Sequence, residues 1–279
     1  MQIIDGKAVA RNIKEKLQQE LKHIPPPTLG IISVGNNPAS QRFIQRKIKA
    51  AESLGIPVKH FPLPQSATEL NLIELIKECN QDPLITGFIV QLPLPFPSEK
   101  IVEHIDHEKD LDGIHPLNIG KLFTSQPGLV PATAAGIIKL LEAYAIPLAG
   151  RHAVIIGRST IVGKPLAALL LQHNATITIT HSHTMNLDQY TKQADLLIVA
   201  AGKPKFVTAD MVKPGAVVID VGTTITKGKL VGDVDFETVQ HKASFISPVP
   251  GGVGPMTVAM LLHNLVVVAK RNTKDKKGP

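Results

Sequence analysis

HAVIIGRSTIVGKPLAALLLQHNATITIT, residues 152–180, carries the strongest fold signal in this chain of 279 residues. An apolar strand at 152–157 leads into a glycine-containing turn, an apolar helix over 162–173 and a second strand at 176–180. Parallel strands need a crossover of about a dozen residues, and a helix of this length supplies it. The segment therefore predicts an α/β unit with a parallel sheet.

The same alternation continues in both directions. Toward the C-terminus, a helix at 187–192 and strands at 195–200 and 216–221 complete the βαβαβ order of the mononucleotide-binding half of a doubly wound fold. Toward the N-terminus we predict helices near 7–23, 38–54, 68–79 and 98–104, and strands near 28–34, 58–61 and 85–91. Long loops over 106–131, a connecting helix at 133–144 and a closing helix after Pro255 complete the pattern.

Composition limits the classes of protein to which the chain belongs. With 43% hydrophobic residues it can form a full core in one large or two modest domains. The apolar runs are too short to span a bilayer and residues 1–24 lack a secretory pattern, which predicts a cytoplasmic protein with no membrane contact. The single cysteine, Cys79, excludes an internal disulfide and a cysteine-based metal site, and we predict no bound metal.

The net charge of +7 raises the question of a polyanionic partner. Several of the cations lie in residues 270–279, which we interpret as a frayed basic tail. Aromatic residues make up only 4% of the chain and tryptophan is absent, so stacking surfaces for single-stranded nucleic acid are scarce. We predict no nucleic-acid partner, because a basic surface that attracts small anions explains the charge equally well.

A phosphate-binding turn is predicted where the first strand of the opening segment meets its helix. The two glycines, Gly157 and Gly163, do not form the G-x-G-x-x-G fingerprint, but backbone N–H groups at the helix start can still receive a phosphate. Residues 175–187 contain no Asp or Glu to hold a ribose 2′-hydroxyl, whereas Arg158 and a hydroxyl suit a 2′-phosphate. This favours NADP, with a solvated arginine and serine in a loop as the alternative.

One lysine interrupts an apolar face of the helix at 38–54. Phe43, Lys47, Ala50 and Leu54 share this face at spacings of four, three and four. The lysine either extends its ammonium group to solvent or is desolvated. In the second case its pKa falls and it can exchange protons near neutral pH.

Two polar side chains lie where strand ends and turns are predicted. Gln91 ends an apolar strand at the carboxyl edge of the sheet, where open α/β sheets bind their ligands, and its amide serves either the turn backbone or a substrate. Asp112, which precedes Gly113, is either a turn former or an acceptor for paired N–H groups of a heterocycle.

The segment SPVPGGVGPMT, residues 247–257, packs three glycines and three prolines into one loop. Proline restricts φ and glycine permits positive φ and close approach of a ligand to the main chain. The loop is either a rigid turn before the last helix or one wall of a binding site.

Taken together, these segments closely resemble the bifunctional methylenetetrahydrofolate dehydrogenase/methenyltetrahydrofolate cyclohydrolase family over nearly the whole chain. The resemblance rests on motifs that occur in the family's order: Val34-Gly35 with Pro38-Ala39-Ser40, Lys47 with Lys49-Ala50, VQLPLP at 90–95, KDLDG at 109–113, GRS at 157–159 with Val162-Gly163, GDVDF at 232–236, and the loop at 247–257.

The resemblance implies two α/β domains and a homodimer. A folate-binding catalytic domain would comprise residues 1–131 plus 255–279, and residues 132–254 would form a doubly wound, Rossmann-type NADP-binding domain, with the C-terminal helix packed back on the first domain. The family oxidises 5,10-methylenetetrahydrofolate with NADP and hydrolyses the methenyl product to 10-formyltetrahydrofolate, a step of one-carbon metabolism that serves purine biosynthesis.

The resemblance also implies roles for individual residues. Lys47 would be the central catalytic residue, Gln91 would assist it, and Asp112 would hold the pterin ring. The folate contacts implied are Phe43, Leu92, Pro250, Gly251 and Gly254, and the NADP contacts implied are Gly157, Arg158, Ser159, Ser182, Thr223 and Thr133.

Some positions depart from the family's pattern. Phe43 stands where the family usually has tyrosine, so stacking on folate should persist while a hydrogen bond to Lys47 or water is lost. Ala132, Ala135, Thr223-Thr224 and His183 also differ from the common residues. Three alternatives therefore remain: a dehydrogenase with weak or absent cyclohydrolase activity, a non-enzymatic folate- or nucleotide-binding protein, and a nucleic-acid-binding role that explains the charge but none of the motifs.

Overall fold

The computed structural model describes residues 1–97, 99–226 and 228–275. The strands are β1 Gln2–Ile3, β2 Leu29–Val34, β3 Val58–Leu63, β4 Gly87–Val90, β5 His152–Ile156, β6 Thr176–Thr180, β7 Leu196–Val199, β8 Val217–Asp220, β9 Thr224–Thr226, β10 Lys229–Val231 and β11 Phe245–Ile246. The helices are α1 Gly6–Leu21, α2 Pro38–Glu52, α3 Glu69–Gln81, α4 Glu99–Val102, α5 Pro116–Phe123, α6 Ala132–Ala143, α7 Gly163–Gln172, α8 Leu187–Thr191, α9 Phe236–Val239 and α10 Val253–Asp275.

The chain divides into two units by its internal contacts. The six-stranded unit comprises Met1–Arg11 and Thr133–Thr257, and the three-stranded unit comprises Asn12–Ala132 and the chain from Val258 onward. The predicted division differs at the N-terminus, because β1 pairs in parallel with β11 and so joins the larger sheet.

The six-stranded unit contains a parallel sheet in the order β1-β11-β8-β7-β5-β6. Its central strands are largely apolar, and β7 and β8 are fully buried, as expected of strands covered on both faces, although β8 ends at Asp220. Because β6 and β7 lie on opposite sides of β5, the strand order reverses at the carboxyl end of β5, where doubly wound folds bind nucleotides. The predicted doubly wound α/β fold is confirmed.

The three-stranded unit has a parallel sheet in the order β3-β2-β4. Its central strand, β2, reads LGIISV and is buried along its whole length. Helix α3 packs on this sheet and begins at a capping box in which Thr68 and Asn71 exchange hydrogen bonds with each other's backbone. The carboxyl ends of β2 and β4 carry the residues that the next subsection describes.

Helix α10 belongs mainly to the three-stranded unit. There the Asn264 amide donates to the carbonyl oxygens of Leu111 and Val130, each at 2.9 Å, and Lys270 forms an ion pair with Glu20. These contacts confirm that the C-terminal helix packs on the first domain. The expectation that every apolar run is too short to span a bilayer was wrong for residues 253–273, which are long and apolar enough, with a mean hydropathy of 1.5. However, 61% of the window is buried within the protein, as in the core helix of a folded domain.

The loops predicted over 106–131 contain a helix that the periodicity did not reveal. Helix α5 begins after His115, whose Nδ1 accepts the N–H of Leu117, and Pro116 occupies its first turn. The predictions also missed the short strands β1 and β9–β11 and helix α9. Helix α10 reaches Asp275, so the first part of the predicted frayed tail is helical, and residues 276–279 lie outside the described residues.

Candidate active site

Lys47 is buried within the three-stranded unit. Its side chain is only 8% exposed, and its ammonium group donates to Oε1 of Gln91 at 3.1 Å. Arg46 and Lys49, on the same helix, are exposed. The burial of Lys47 excludes the alternative in which its ammonium group extends into solvent.

Gln91 is held by the end of the sheet. Its backbone N–H donates to Ile32 of β2 at 2.8 Å, and its side-chain Nε2 donates to the carbonyl oxygen of Leu92 at 2.6 Å. The amide therefore serves the turn backbone through its nitrogen and Lys47 through its oxygen. Of the two readings that the sequence left open, the structure shows the contact with the turn backbone, and a contact with substrate stays a prediction.

The pKa of Lys47 is lowered by desolvation, and the nearby negative charge of Asp112 opposes this shift. The pKa of Asp112 is raised by the same burial and is pulled down by the charge of Lys47. A buried amine of lowered pKa is able to take a proton from water near neutral pH. The pair thus has the electrostatics of an acid–base site.

The two aspartates of the motif KDLDG have different environments. Asp110 is 1% exposed, and its carboxylate accepts the N–H groups of Gly113 and His115 and the amide of Asn118. Burial raises the pKa of Asp110 to about 6. The carboxylate of Asp112, by contrast, receives no hydrogen bond from the described residues, so its acceptor capacity is left for a ligand. Asp110 shapes the turn, and Asp112 is the group that can bind.

Helix α2 adds two further side chains on the face of Lys47. Phe43 lies one turn before the lysine and is half-buried. Ser40, a further three residues back, is 8% exposed, and its Oγ has no hydrogen-bond partner among the described residues. No role was predicted for Ser40, although its spacing of three and seven residues from Phe43 and Lys47 places it on the same helix face.

In the six-stranded unit, the turn after β5 depends on its two glycines. Gly157 has φ +122°, and a Cβ there would collide with the carbonyl oxygen of Ala200, which follows β7. A Cβ on Gly163 would collide with the carbonyl oxygen of Gly157. The six-residue spacing therefore lets α7 start directly against the turn. Ser159 stabilises this start, because its Oγ accepts the N–H of Val162 at 3.1 Å.

The side chains that follow β5 and β6 suit a dinucleotide that carries a 2′-phosphate. The N–H of Gly157 donates to Thr180, the last residue of β6, so Arg158 and Ser182 follow neighbouring strand ends. Arg158, Ser159 and Ser182 are all exposed, and residues 175–187 supply no carboxylate. Exposed arginine and hydroxyl donors fit a phosphate better than a ribose hydroxyl. These residues fit NADP.

The remaining predicted cofactor residues lie in the same unit. Thr223 is exposed and follows β8, while Thr133 is half-buried in α6, where its Oγ1 lies 3.1 Å from Oγ1 of Thr257. No cofactor contact is assigned to either by the geometry alone.

The loop at 247–257 is held close to the first helix of the chain. Gly251 has φ +119° and its carbonyl oxygen accepts the N–H of Lys7 at 3.1 Å. Gly252 donates its N–H to Pro248 at 2.8 Å and leaves no room for a Cβ beside that residue. Pro250 is exposed and Gly254 is half-buried at the start of α10. Gly251 and Gly252 are therefore required for the path of the loop, whereas a Cβ at Gly254 would meet no neighbouring atom.

Two buried carboxylates near β8 were not predicted as functional. Asp220 is 4% exposed and accepts the N–H groups of Gly222, Asp233 and Val234. Asp233 is fully buried and accepts the N–H groups of Ala201 and Gly202 through Oδ2, each at 2.7 Å. Burial raises the pKa of Asp220 to about 6 and raises the pKa of Asp233 as well. The motif GDVDF at 232–236 was the available signal.

The structure thus brings Lys47, Gln91 and Asp112 together in the three-stranded unit. It places Gly157, Arg158, Ser159, Ser182, Thr133 and Thr223 in the six-stranded unit, together with Pro250, Gly251 and Gly254. Phe43 and Leu92, both half-buried, lie in the three-stranded unit, as does Lys47.

Comparison with known proteins gives extensive matches. The family model of the tetrahydrofolate dehydrogenase/cyclohydrolase catalytic domain matches residues 4–112, and the model of the NAD(P)-binding domain of the same family matches residues 131–273. A protein of Campylobacter hominis named bifunctional protein FolD is 49% identical over 284 residues, which cover 99% of this chain and 100% of the relative.

Two solved structures are similar over almost their full length. The FolD methylenetetrahydrofolate dehydrogenase/cyclohydrolase of Campylobacter jejuni has a TM-score of 0.94 at 47% identity, covering 98% of this chain and 99% of its own. The methylenetetrahydrofolate dehydrogenase-cyclohydrolase of Trypanosoma brucei was solved in complex with NADP cofactor and an inhibitor. It has a TM-score of 0.92 at 35% identity, and the match covers 98% of this chain and 98% of its own.

Proposed function

The chain belongs to the tetrahydrofolate dehydrogenase/cyclohydrolase family, and we propose that Lys47, Gln91 and Asp112 carry the chemistry of its two activities. The enzyme oxidises 5,10-methylenetetrahydrofolate to the methenyl form with NADP and hydrolyses that product to 10-formyltetrahydrofolate. The single observation that carries the residue assignment is the buried Lys47 ammonium group, 3.1 Å from the Gln91 amide oxygen.

In the hydrolysis, we assign proton transfer to Lys47. The oxygen of a water molecule bonds to the bridging carbon of the cationic methenyl substrate while the neutral amine takes one of its protons. The bond from that carbon to N5 then breaks, its electron pair stays on N5, and the second water proton is transferred to N5. Burial supports this role, because it raises the fraction of neutral amine at neutral pH.

Gln91 and Asp112 have supporting roles. The Gln91 oxygen is fixed by the hydrogen bonds of its own backbone and Nε2, so it orients the Lys47 amine toward one position. The Asp112 carboxylate accepts paired N–H groups of the pterin ring. The positive charge that Lys47 acquires during the reaction favours the ionised form of Asp112. Phe43 stacks on the aminobenzoyl part of folate.

In the oxidation, NADP supplies the hydride acceptor when bound. We propose that Gly157, Arg158, Ser159 and Ser182 hold its phosphates, and that Thr133 and Thr223 lie toward its nicotinamide. Lys47 orients the folate for hydride loss. Leu92, Pro250, Gly251 and Gly254 are proposed folate contacts, and the choice of glycines rests on the close approach to the main chain that glycine permits.

We also propose that the enzyme is a cytoplasmic homodimer. The single cysteine, Cys79, is buried and its thiol pKa is raised to about 11, which suits a protein that remains reduced. Strand β6 ends the six-stranded sheet, and Ile179 on this strand is 39% exposed, so the edge offers backbone and apolar surface to a second copy. Light scattering on the purified enzyme tests the dimer.

A paired assay tests the assignment of Lys47. NADP-dependent oxidation of 5,10-methylenetetrahydrofolate and separate hydrolysis of 5,10-methenyltetrahydrofolate are measured for the wild type, Lys47→Met and the matched control Lys49→Met. We expect hydrolysis by Lys47→Met to fall by about 100-fold or more, as for loss of a general base. Lys49 is exposed, so its variant should retain both activities. Hydrolysis that survives in Lys47→Met would contradict the assignment, and oxidation without hydrolysis in the wild type would indicate a dehydrogenase that lacks the second activity.

A further inference from the structure

Two buried carboxylates connect the loops at the carboxyl edge of the six-stranded sheet. Asp220, at the end of β8, binds the N–H of Gly222 in its own loop and the N–H groups of Asp233 and Val234 after β10. Asp233 in turn binds the N–H groups of Ala201 and Gly202 after β7. Five backbone donors from three loops therefore converge on two side chains.

The packing around this pair leaves no space for adjustment. A Cβ on Gly232 would collide with the Asp220 carboxylate, and a Cβ on Gly222 would collide with the Asp233 carboxylate. Gly222 immediately precedes Thr223, the residue that we propose lies toward the nicotinamide. The position of the Asp233 carboxylate thus restricts the backbone path at Gly222, directly before this threonine.

Asp233 is also an unfavourable group to bury for stability alone. Its Oδ1 has no hydrogen-bond partner among the described residues, although the side chain is fully buried. An unsatisfied buried carboxylate oxygen is destabilising, and each such group calls for an explanation. An asparagine keeps a carbonyl oxygen that can accept the same two N–H groups, so it separates the role of the acceptor from that of the charge.

We propose that Asp233 is a positioning residue for the dehydrogenase reaction, which holds the backbone of Ala201–Gly202 and of Gly222–Thr223 in the conformation that receives the nicotinamide end of NADP. This inference rests on the proposed function of Thr223 and extends it to residues that touch neither substrate nor cofactor. The acceptor oxygen, rather than the negative charge, performs the role. Hydrolysis of the methenyl substrate uses no cofactor and does not require this arrangement.

The test compares the effect of each substitution on NADP-dependent oxidation with its effect on hydrolysis by the same protein. Asp233→Ala removes the acceptor oxygen, and Asp233→Asn keeps one. The matched control is Asp235→Asn, in the same motif, because Asp235 is a half-buried aspartate that forms an ion pair with Lys205. Three quantities are measured on each protein: the Kd for NADP without folate, amide hydrogen exchange of residues 200–203 without cofactor, and the kinetics of both reactions.

We expect Asp233→Ala to raise the Kd and KM for NADP by about tenfold, the loss that accompanies removal of a hydrogen bond to a charged group. Exchange at Ala201 and Gly202 should accelerate, while hydrolysis and its KM stay at the wild-type level. Asp233→Asn should restore NADP binding and slow exchange, and Asp235→Asn should resemble the wild type. A kcat loss without a KM change in Asp233→Ala would overturn the proposal, because a misplaced loop must weaken NADP.

Two other results would also overturn it. Unchanged NADP binding and exchange in Asp233→Ala would show that the loop does not depend on the carboxylate, and an equal loss of both activities would show a general structural role. If Asp233→Ala does not fold, Gly222→Ala is used instead, because its Cβ would collide with the Asp233 carboxylate while the carboxylate itself is kept. This variant must then show the same selective loss of NADP binding. Absence of NADP-dependent oxidation in the wild type would instead refute the proposed function, independently of every variant.

Discussion

The ammonium nitrogen of Lys47 on α2 lies 3.1 Å from the amide oxygen of Gln91, which follows β4, and both side chains are less than a tenth exposed. A neutral amide oxygen accepts a hydrogen bond from the ammonium group without the full charge that a carboxylate would place there. Desolvation therefore remains the dominant influence on the lysine and keeps its pKa low. Glutamine rather than glutamate at this contact therefore adds no negative charge that would oppose the lowering of the Lys47 pKa by desolvation.

Gln91→Glu should raise the pKa of Lys47, because a carboxylate beside the ammonium group favours its charged form. The shift should be about one to three units, and since the neutral amine is the active form, hydrolysis should need a correspondingly higher pH to reach half its maximum. The measurement is the pH–rate profile of methenyltetrahydrofolate hydrolysis, corrected for the uncatalysed rate. Gln45→Glu, at an exposed position on the same helix, is the control. A profile that does not move would mean that Lys47 is not the titrating base.

Phe43→Tyr should change the ratio of the two activities. The new hydroxyl would lie one turn before Lys47 on the same helix face, within reach of the amine or its water. One added hydrogen bond should increase hydrolysis by about two- to tenfold, whereas oxidation, which needs the aromatic face, should stay constant. The ratio of the two rates is compared with that of Phe123→Tyr, at an exposed phenylalanine. An unchanged ratio would refute the importance of the missing hydroxyl.

Arg158→Ala should weaken NADP selectively. The exposed guanidinium follows β5, where it can form paired, charge-assisted hydrogen bonds with a 2′-phosphate. Its loss should raise the KM for NADP by about 10- to 100-fold and leave the KM for NAD unchanged. Lys164→Ala removes a neighbouring exposed cation of α7 and serves as the control for general electrostatic attraction. Equal losses for both cofactors would mean that Arg158 supports the turn rather than recognising the phosphate.

Gly157→Ala should impair the cofactor turn through a steric collision. Both Gly157, at φ +122°, and Gly150, at φ +73°, adopt backbone conformations that are strained for alanine, but only Gly157 also lacks space for a Cβ. The shared strain is about 1–3 kcal/mol, so Gly150→Ala measures it separately. We expect Gly157→Ala to lower Tm further than Gly150→Ala and to weaken NADP binding, which Gly150→Ala should leave intact. Equal effects of the two variants would exclude the collision with Ala200.

The prediction of the fold succeeded where local pattern and local structure coincide. Strands β5, β7 and β8 are mostly apolar, β6 alternates threonine and isoleucine, and the strand–glycine–helix order at Gly157 is contained in a few adjacent residues. Strand β1 could not be found in this way, because its two residues become a strand only by pairing with β11, more than 200 residues later. Helix α5 was hidden by the turn formers that surround it, although His115 and Pro116 form its N-terminal cap.

The amino-acid sequence by itself determined the parallel α/β class, the position of the nucleotide turn and the presence of a lysine on an apolar helix face, because each follows from residue type and spacing over a few turns. Only the tertiary structure decided which ionisable groups are chemically active. Lys47 and Lys49 are two residues apart on one helix, yet only Lys47 is desolvated; Asp110 and Asp112 share one turn, yet only Asp110 has its hydrogen bonds satisfied. Desolvation and hydrogen bonding depend on segments distant in the chain, so the pKa values that make a site reactive arise from packing rather than from the local sequence.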